Sequence, residues 1–128
     1  TNGSITCNVI GGNLTLLIRS MGHEYEVDTK GKVLFLEEVD EDGHRIYDML
    51  TQLHLGGKLS CLRAIVLGRF KGCNKAYDYI RRFVDENLDV PTFYLEKFGH
   101  GSPNYPFRIG APCEINPLKR TVRFSSIV

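Results

Sequence analysis

The chain has 128 residues, a formal charge of +1, 42% apolar and 24% charged residues. That length suits one domain with a core of its own, and the near-neutral charge gives no electrostatic reason to expect nucleic acid or an anionic membrane as a partner. Its longest apolar runs, such as Ala64-Ile65-Val66-Leu67, are the length of a core strand and far too short to cross a bilayer.

Ser4 to Ile10 is apolar and β-branched and stops at Gly11-Gly12. Asn13 follows as a helix cap, with Leu14, Leu16, Leu17 and Met21 on the buried stripe of a short helix. Lys32 to Leu36 is continuously apolar after its lysine, which predicts a strand buried on both faces, ending at Glu37-Glu38. After the polar turn at Asp40 to Gly43, Ile46, Met49, Leu50 and Leu53 recur at helical spacing, and Gly56-Gly57 closes that helix. A second buried strand spans Arg63 to Leu67 and ends at Gly68. Asn74 is positioned to cap a helix running to about Leu88, with Ala76, Tyr77, Ile80, Phe83 and Val84 inward. A strand over Thr92 to Leu95 leads into Phe98-Gly99-His100-Gly101. The tail carries three short segments, near Phe107–Ile109, Cys113–Ile115 and Thr121–Ser125, punctuated by Pro106, Pro112 and Pro117.

Alternating strands and helices predict right-handed crossovers and a parallel sheet, and the tail predicts a smaller antiparallel one. The expected fold class is therefore α/β, as a three-layer β/β/α domain with a central parallel sheet, a smaller antiparallel sheet and flanking helices. The cysteines, Cys7, Cys61, Cys73 and Cys113, have no zinc-ligand spacing; their spacing allows two disulfides, and the plainer reading is four reduced thiols of a cytosolic protein. The chain begins at Thr1, and no basic segment precedes a long apolar one, so the expectation is a chain processed or cut from something longer.

Ligands of open parallel sheets bind beyond the carboxyl ends of the strands. Three loops fall on that edge, starting at Glu37-Glu38, at Gly68-Arg69-Phe70-Lys71-Gly72 and at Gly99-His100-Gly101-Ser102. A carboxylate that binds one ring nitrogen of a histidine fixes its tautomer and frees the other nitrogen to accept a proton. Glu37 and His100 are thus candidates for orienter and base. Each also has an ordinary reading, Glu37 as a solvated strand-end acid and His100 as a turn histidine. His23, His44 and His54 lie in solvated contexts, and Arg81-Arg82 form an exposed helix face. Gly11-Gly12-Asn13 is compatible with a weak anion cradle or, more simply, a tight entry turn. No G-x-S-x-G elbow exists, and Ser102 is too close in sequence to His100 to meet its ring in line. An orienter and a base are present without a nucleophile.

Five stretches occur in an order that resembles the LD-carboxypeptidases, also called muramoyltetrapeptide carboxypeptidases. They are Gly11-Gly12-Asn13-Leu14, Val33 to Val39, Arg45 to Leu53, Ala64 to Phe70, and Phe98-Gly99-His100. The resemblance implies that residues 1–128 form the carboxy-terminal domain, with Glu37 and His100 at the positions of the family's glutamate and histidine. It implies as partner an amino-terminal domain, outside this chain, that carries the serine and most of the oxyanion hole. The implied reaction is cytoplasmic hydrolysis of murein tetrapeptides without a cofactor or metal, and the isolated chain is expected to be inactive. Such proteins often dimerise, which makes a second copy a candidate partner. A related branch hydrolyses peptide-nucleotide antibiotics such as microcin C, and a non-catalytic peptide-binding module of the same fold is the other alternative. Glu38 stands where many relatives have Asp, and the Asp42-Gly43-His44 loop also departs from the family pattern.

Overall fold

The computed structural model describes residues 4–95, 110–116 and 118–124. In chain order the elements are β1 (Ile5–Asn13), α1 (Leu14–Ser20), β2 (Val33–Val39), α2 (Gly43–Leu55), β3 (Ala64–Lys71), α3 (Ala76–Asn87), β4 (Thr92–Tyr94), β5 (Pro112–Asn116) and β6 (Thr121–Phe124). Among the described residues the strands form one mixed sheet in the order β4-β3-β2-β1-β5-β6. The first four are parallel, and β5 and β6 are antiparallel to their neighbours.

Each successive parallel strand is added on the same side of the one before it. With right-handed crossovers, winding in one direction places every connecting helix on one face. Accordingly α1, α2 and α3 share a single core with Leu34 and Leu36 of β2 and Ile65 and Leu67 of β3. The alternate residues, Val33, Phe35, Ala64 and Val66, point to the other face, where the winding supplies no helix. Their cover comes from Cys113 and Ile115 of β5, with Val122 and Phe124 of β6 packed alongside. The expected antiparallel segments therefore continue the main sheet through β1 rather than forming a sheet apart. β1 makes this possible by changing partner along its length: Ile5–Asn8 pairs with β5, and Val9–Asn13 pairs with β2.

Four element boundaries differ from the sequence pattern. β1 does not stop at its glycines but runs through them, with Gly11 opposite Phe35 and Gly12 opposite Leu36. Both glycines have positive φ, 119° and 137°, which side chains avoid. β2 and β3 likewise continue past their apolar runs, pairing Glu38 with Phe70 and Val39 with Lys71. Finally, α3 is not capped by Asn74. The Asn74 carbonyl accepts the Gly43 N–H at 3.0 Å, tying the starts of α2 and α3 together. The cap position passes to Lys75, which is left-handed and makes no side-chain cap bond. The expected caps and stops of the other helices are present: Asn13 accepts from the Leu16 N–H, and Gly56 ends α2. The tail segment at Phe107–Ile109 lies outside the described residues.

A Cβ on Gly11 would run into the carbonyl oxygen of Phe35. Gly11→Ala is expected to destabilise the domain by about 2 kcal/mol or more, from the clash and the positive φ together. Urea denaturation measures this, and an unchanged midpoint would contradict the close β1–β2 approach.

Candidate active site

The carboxyl ends of β1, β2 and β3 bring Asn13, Glu37-Glu38 and Gly68–Lys71 to one edge of the sheet. Asn13 and Glu37 are direct partners in the β1–β2 register. On the other side of Glu37 the register shifts. Leu36 pairs with Leu67 and Glu38 with Phe70, so Gly68 and Arg69 together oppose Glu37 alone. Such a bulge re-aims side chains and is common beside active sites. The predicted loop at Gly68 is thus mostly strand. The Gly68 carbonyl accepts the Tyr77 hydroxyl at 2.8 Å, which anchors the bulge to α3.

The two adjacent acids have different surroundings. Glu37 is partly buried. Burial pushes its pKa up, the Asn13 amide pulls it down, and the Glu38 charge adds to the rise. Glu38 is only 4% exposed. Its Oε1 accepts the Thr15 N–H at 2.9 Å and the Thr15 hydroxyl at 2.6 Å. Its Oε2 accepts the Asn13 side-chain amide at 2.9 Å and the Val39 N–H at 3.1 Å. Burial alone would raise the Glu38 pKa, but the donors from Thr15, Val39 and Asn13 outweigh it and hold the carboxyl below its ordinary value. Thr15 lies in the first turn of α1, so the anion at this helix start is the protein's own Glu38. The anion-cradle reading of Gly11-Gly12-Asn13 gives way to that internal tie.

Glu37 therefore sits where the sequence places it, on the carboxyl edge and partly open. His100 and Ser102 lie outside the described residues. His23 and His44 are exposed, as are Arg81 and Arg82. His54 differs from its solvated reading: its ring meets Phe83 edge-on at 5.9 Å, and its Nδ1 is buried without a hydrogen-bond partner among the described residues. Sequence reasoning missed Glu38, whose donors other than the adjacent Val39 N–H lie 23 and 25 residues away. A groove of about 630 Å³ runs along Pro91–Tyr94, Arg120 and Val122, and among the described residues its lining has one cation and no carboxylate or imidazole. Among the described residues no helix is long and apolar enough to cross a membrane.

Residues 6–115 match the family described as the LD-carboxypeptidase C-terminal domain. The chain belongs to that family. A probable murein peptide carboxypeptidase of Bacillus subtilis is 34% identical over 126 residues, 93% of this chain and 40% of the relative. The murein tetrapeptide carboxypeptidase of Pseudomonas aeruginosa is 33% identical over 119 residues, 87% of this chain and 39% of the relative. This LD-carboxypeptidase domain thus spans about 40% of the length of those curated relatives. Among solved structures, the muramoyltetrapeptide carboxypeptidase from Oxalobacter formigenes superposes with a TM-score of 0.73 at 26% identity, over 88% of this chain and 42% of that one. The microcin C7 self immunity protein MccF superposes at 0.77 with 19% identity, over 98% of this chain and 39% of that one, a likeness of fold alone.

Glu38→Ala would strand the Thr15, Asn13 and Val39 donors in a dry site, at an expected cost of about 3 kcal/mol near neutral pH. A carboxyl whose folded pKa is lowered stabilises above its ordinary value of 4.5 and loses that contribution as pH falls through the folded value. Urea denaturation of wild type and Glu38→Ala should therefore show a stability gap that narrows on acidification. A gap constant from neutral pH to about pH 3 would contradict the charged tie.

Proposed function

We propose that this domain supplies the glutamate and histidine of a serine LD-carboxypeptidase. The enzyme would release the terminal D-amino acid from murein tetrapeptides during cytoplasmic cell-wall recycling. The observation that carries the reading is Glu37: partly desolvated, at the carboxyl edge, beside a bulge and next to an acid already saturated with donors. Of the two neighbouring acids, Glu37 is the one available to a partner. Taking a carboxylate partly out of water also strengthens its field on an adjacent imidazole. The two murein peptide carboxypeptidases above, each over 30% identical, support the substrate class.

In this reading the serine and most of the oxyanion hole come from another domain of the same protein. The serine oxygen attacks the carbonyl of the amide joining an L-centre to the terminal D-amino acid, and His100 accepts the serine proton. His100 then gives that proton to the departing amine, leaving an acyl-serine ester. Water, deprotonated by the same imidazole, cleaves the ester and restores the serine hydroxyl. Glu37 binds the second ring nitrogen, fixes the tautomer and stabilises the imidazolium. The 128-residue domain alone, lacking the nucleophile, is expected to be inactive.

In the full-length protein, Glu37→Gln and His100→Ala are each expected to lower kcat for murein tetrapeptide cleavage by about a thousandfold or more. Release of the D-amino acid from tetrapeptide is the readout. Turnover near wild type in both variants would overturn the assignment and favour a non-catalytic peptide-binding role. Cleavage of an aminoacyl sulfamoyl nucleotide in preference to the tetrapeptide would move the substrate to the microcin-type branch.

A further inference from the structure

We propose that Glu38 is a positioning residue, which locks the Asn13 side-chain amide beside Glu37 and so fixes where Glu37 meets its imidazole. The inference rests on the reading of Glu37 as the triad glutamate.

Asn13 is the residue paired with Glu37 across the β1–β2 register. Both ends of its side chain are engaged. Its Oδ1 accepts the Leu16 N–H at 3.1 Å, and its Nδ2 donates to Glu38 Oε2 at 2.9 Å. The Leu16 N–H can only donate and an ionised carboxylate can only accept, so one amide orientation is allowed. That orientation presents the N–H2 group to the acids of β2, and the same amide acts on the Glu37 carboxyl. Glu38 is itself unable to follow a moving Asn13, because Thr15 holds its other oxygen twice and Val39 holds the shared one. The carboxylate is a fixed reference point bonded to a helix start on one side and to its own strand on the other.

On the β3 side of Glu37 the backbone register is irregular. There Gly68 and Arg69 oppose one residue, and the regular ladder is interrupted. On the β1 side, Glu37 meets Asn13, and Asn13 is aimed by Glu38. A carboxylate displaced by about 1 Å from an imidazole is enough to lower turnover by roughly a hundredfold.

The test uses the full-length protein and tetrapeptide turnover. Glu38→Gln is nearly isosteric but turns one of the two acceptor oxygens into a donor, so its side chain cannot accept from Thr15, Asn13 and Val39 together. It is expected to lower kcat by about 10- to 100-fold while KM changes less than about threefold. Glu38→Asp keeps an acceptor-only group and is expected to recover kcat to within about fivefold of wild type. Asn13→Ala lowers kcat too, and the Asn13→Ala/Glu38→Gln double variant is no slower than the slower single one.

Multiplying losses in the double variant would make Glu38 a stabilising residue only. If Glu38→Gln fails to fold, an unchanged kcat in Asn13→Ala overturns the proposal instead. Glu37→Gln separates the two levels. Wild-type turnover in Glu37→Gln sinks the triad reading and this one together. An inactive Glu37→Gln beside a fully active Glu38→Gln sinks the positioning role alone.

Discussion

A parallel sheet wound in a single direction has helices on one face, and everything else about this domain follows from the need to cover the other. β2 and β3 are buried on both sides: Val33, Leu34, Phe35 and Leu36 are each at most 3% exposed. Left open, the second face would expose a contiguous apolar surface of the kind that drives association. The fold answers by pairing β5 onto the free half of β1, so that the antiparallel strands bring Cys113 and Ile115 onto Val33, Phe35 and Val66. The same demand explains why β1 is long and carries two glycines. It must serve β5 with its first half and approach β2 closely with its second.

That close approach leads directly to the site. Because β1 stays paired with β2 as far as Asn13, α1 starts level with the acids of β2. A charged group in such a place is costly unless several donors meet it. Thr15, Asn13 and Val39 meet Glu38, and among the described residues this leaves Glu37 as the acid with fewer donors. Adjacent residues of identical chemistry are thereby divided into a structural anion and a candidate functional one. The division is made by where a strand ends and a helix begins.

Much of the fold was legible because it is written in local patterns. The 3-and-4 spacing of Ile46, Met49, Leu50 and Leu53, with Gly56 after them, marks α2 without reference to any other part of the chain. The continuous apolar run at Val33–Leu36 marks a strand covered on both faces. What resisted reading was non-local. Glu38 looks like the first solvated residue after a strand because its donors come from β1 and the start of α1. The bulge at Gly68-Arg69 exists only relative to Glu37 on another strand. Asn74 would cap α3 in isolation, yet its carbonyl is committed to Gly43 at the start of α2. For the candidate site, the position of Glu37 on the carboxyl edge was predictable from strand polarity, while its division of labour with Glu38 was not. The Glu37–His100 pairing came from placement on one sheet edge and from family resemblance, and His100 lies outside the described residues.

The change of partner along β1 also has a bearing on how the molecule is made. Ile5 pairs with Ile115, a contact separated by about 110 residues, so the entropy of closing that loop must be met before the second face is sealed. A chain emerging from the ribosome can assemble β1 through β4 by successive short crossovers, each neighbour following the last. Throughout that time the first half of β1 is a bare edge, with Cys7 and Val9 lacking their cover, and bare edges recruit foreign strands. Translation past Asn116 ends that exposure. The late strands thus close the edge that the order of synthesis leaves open longest, quite apart from any chemistry at the carboxyl ends of the strands.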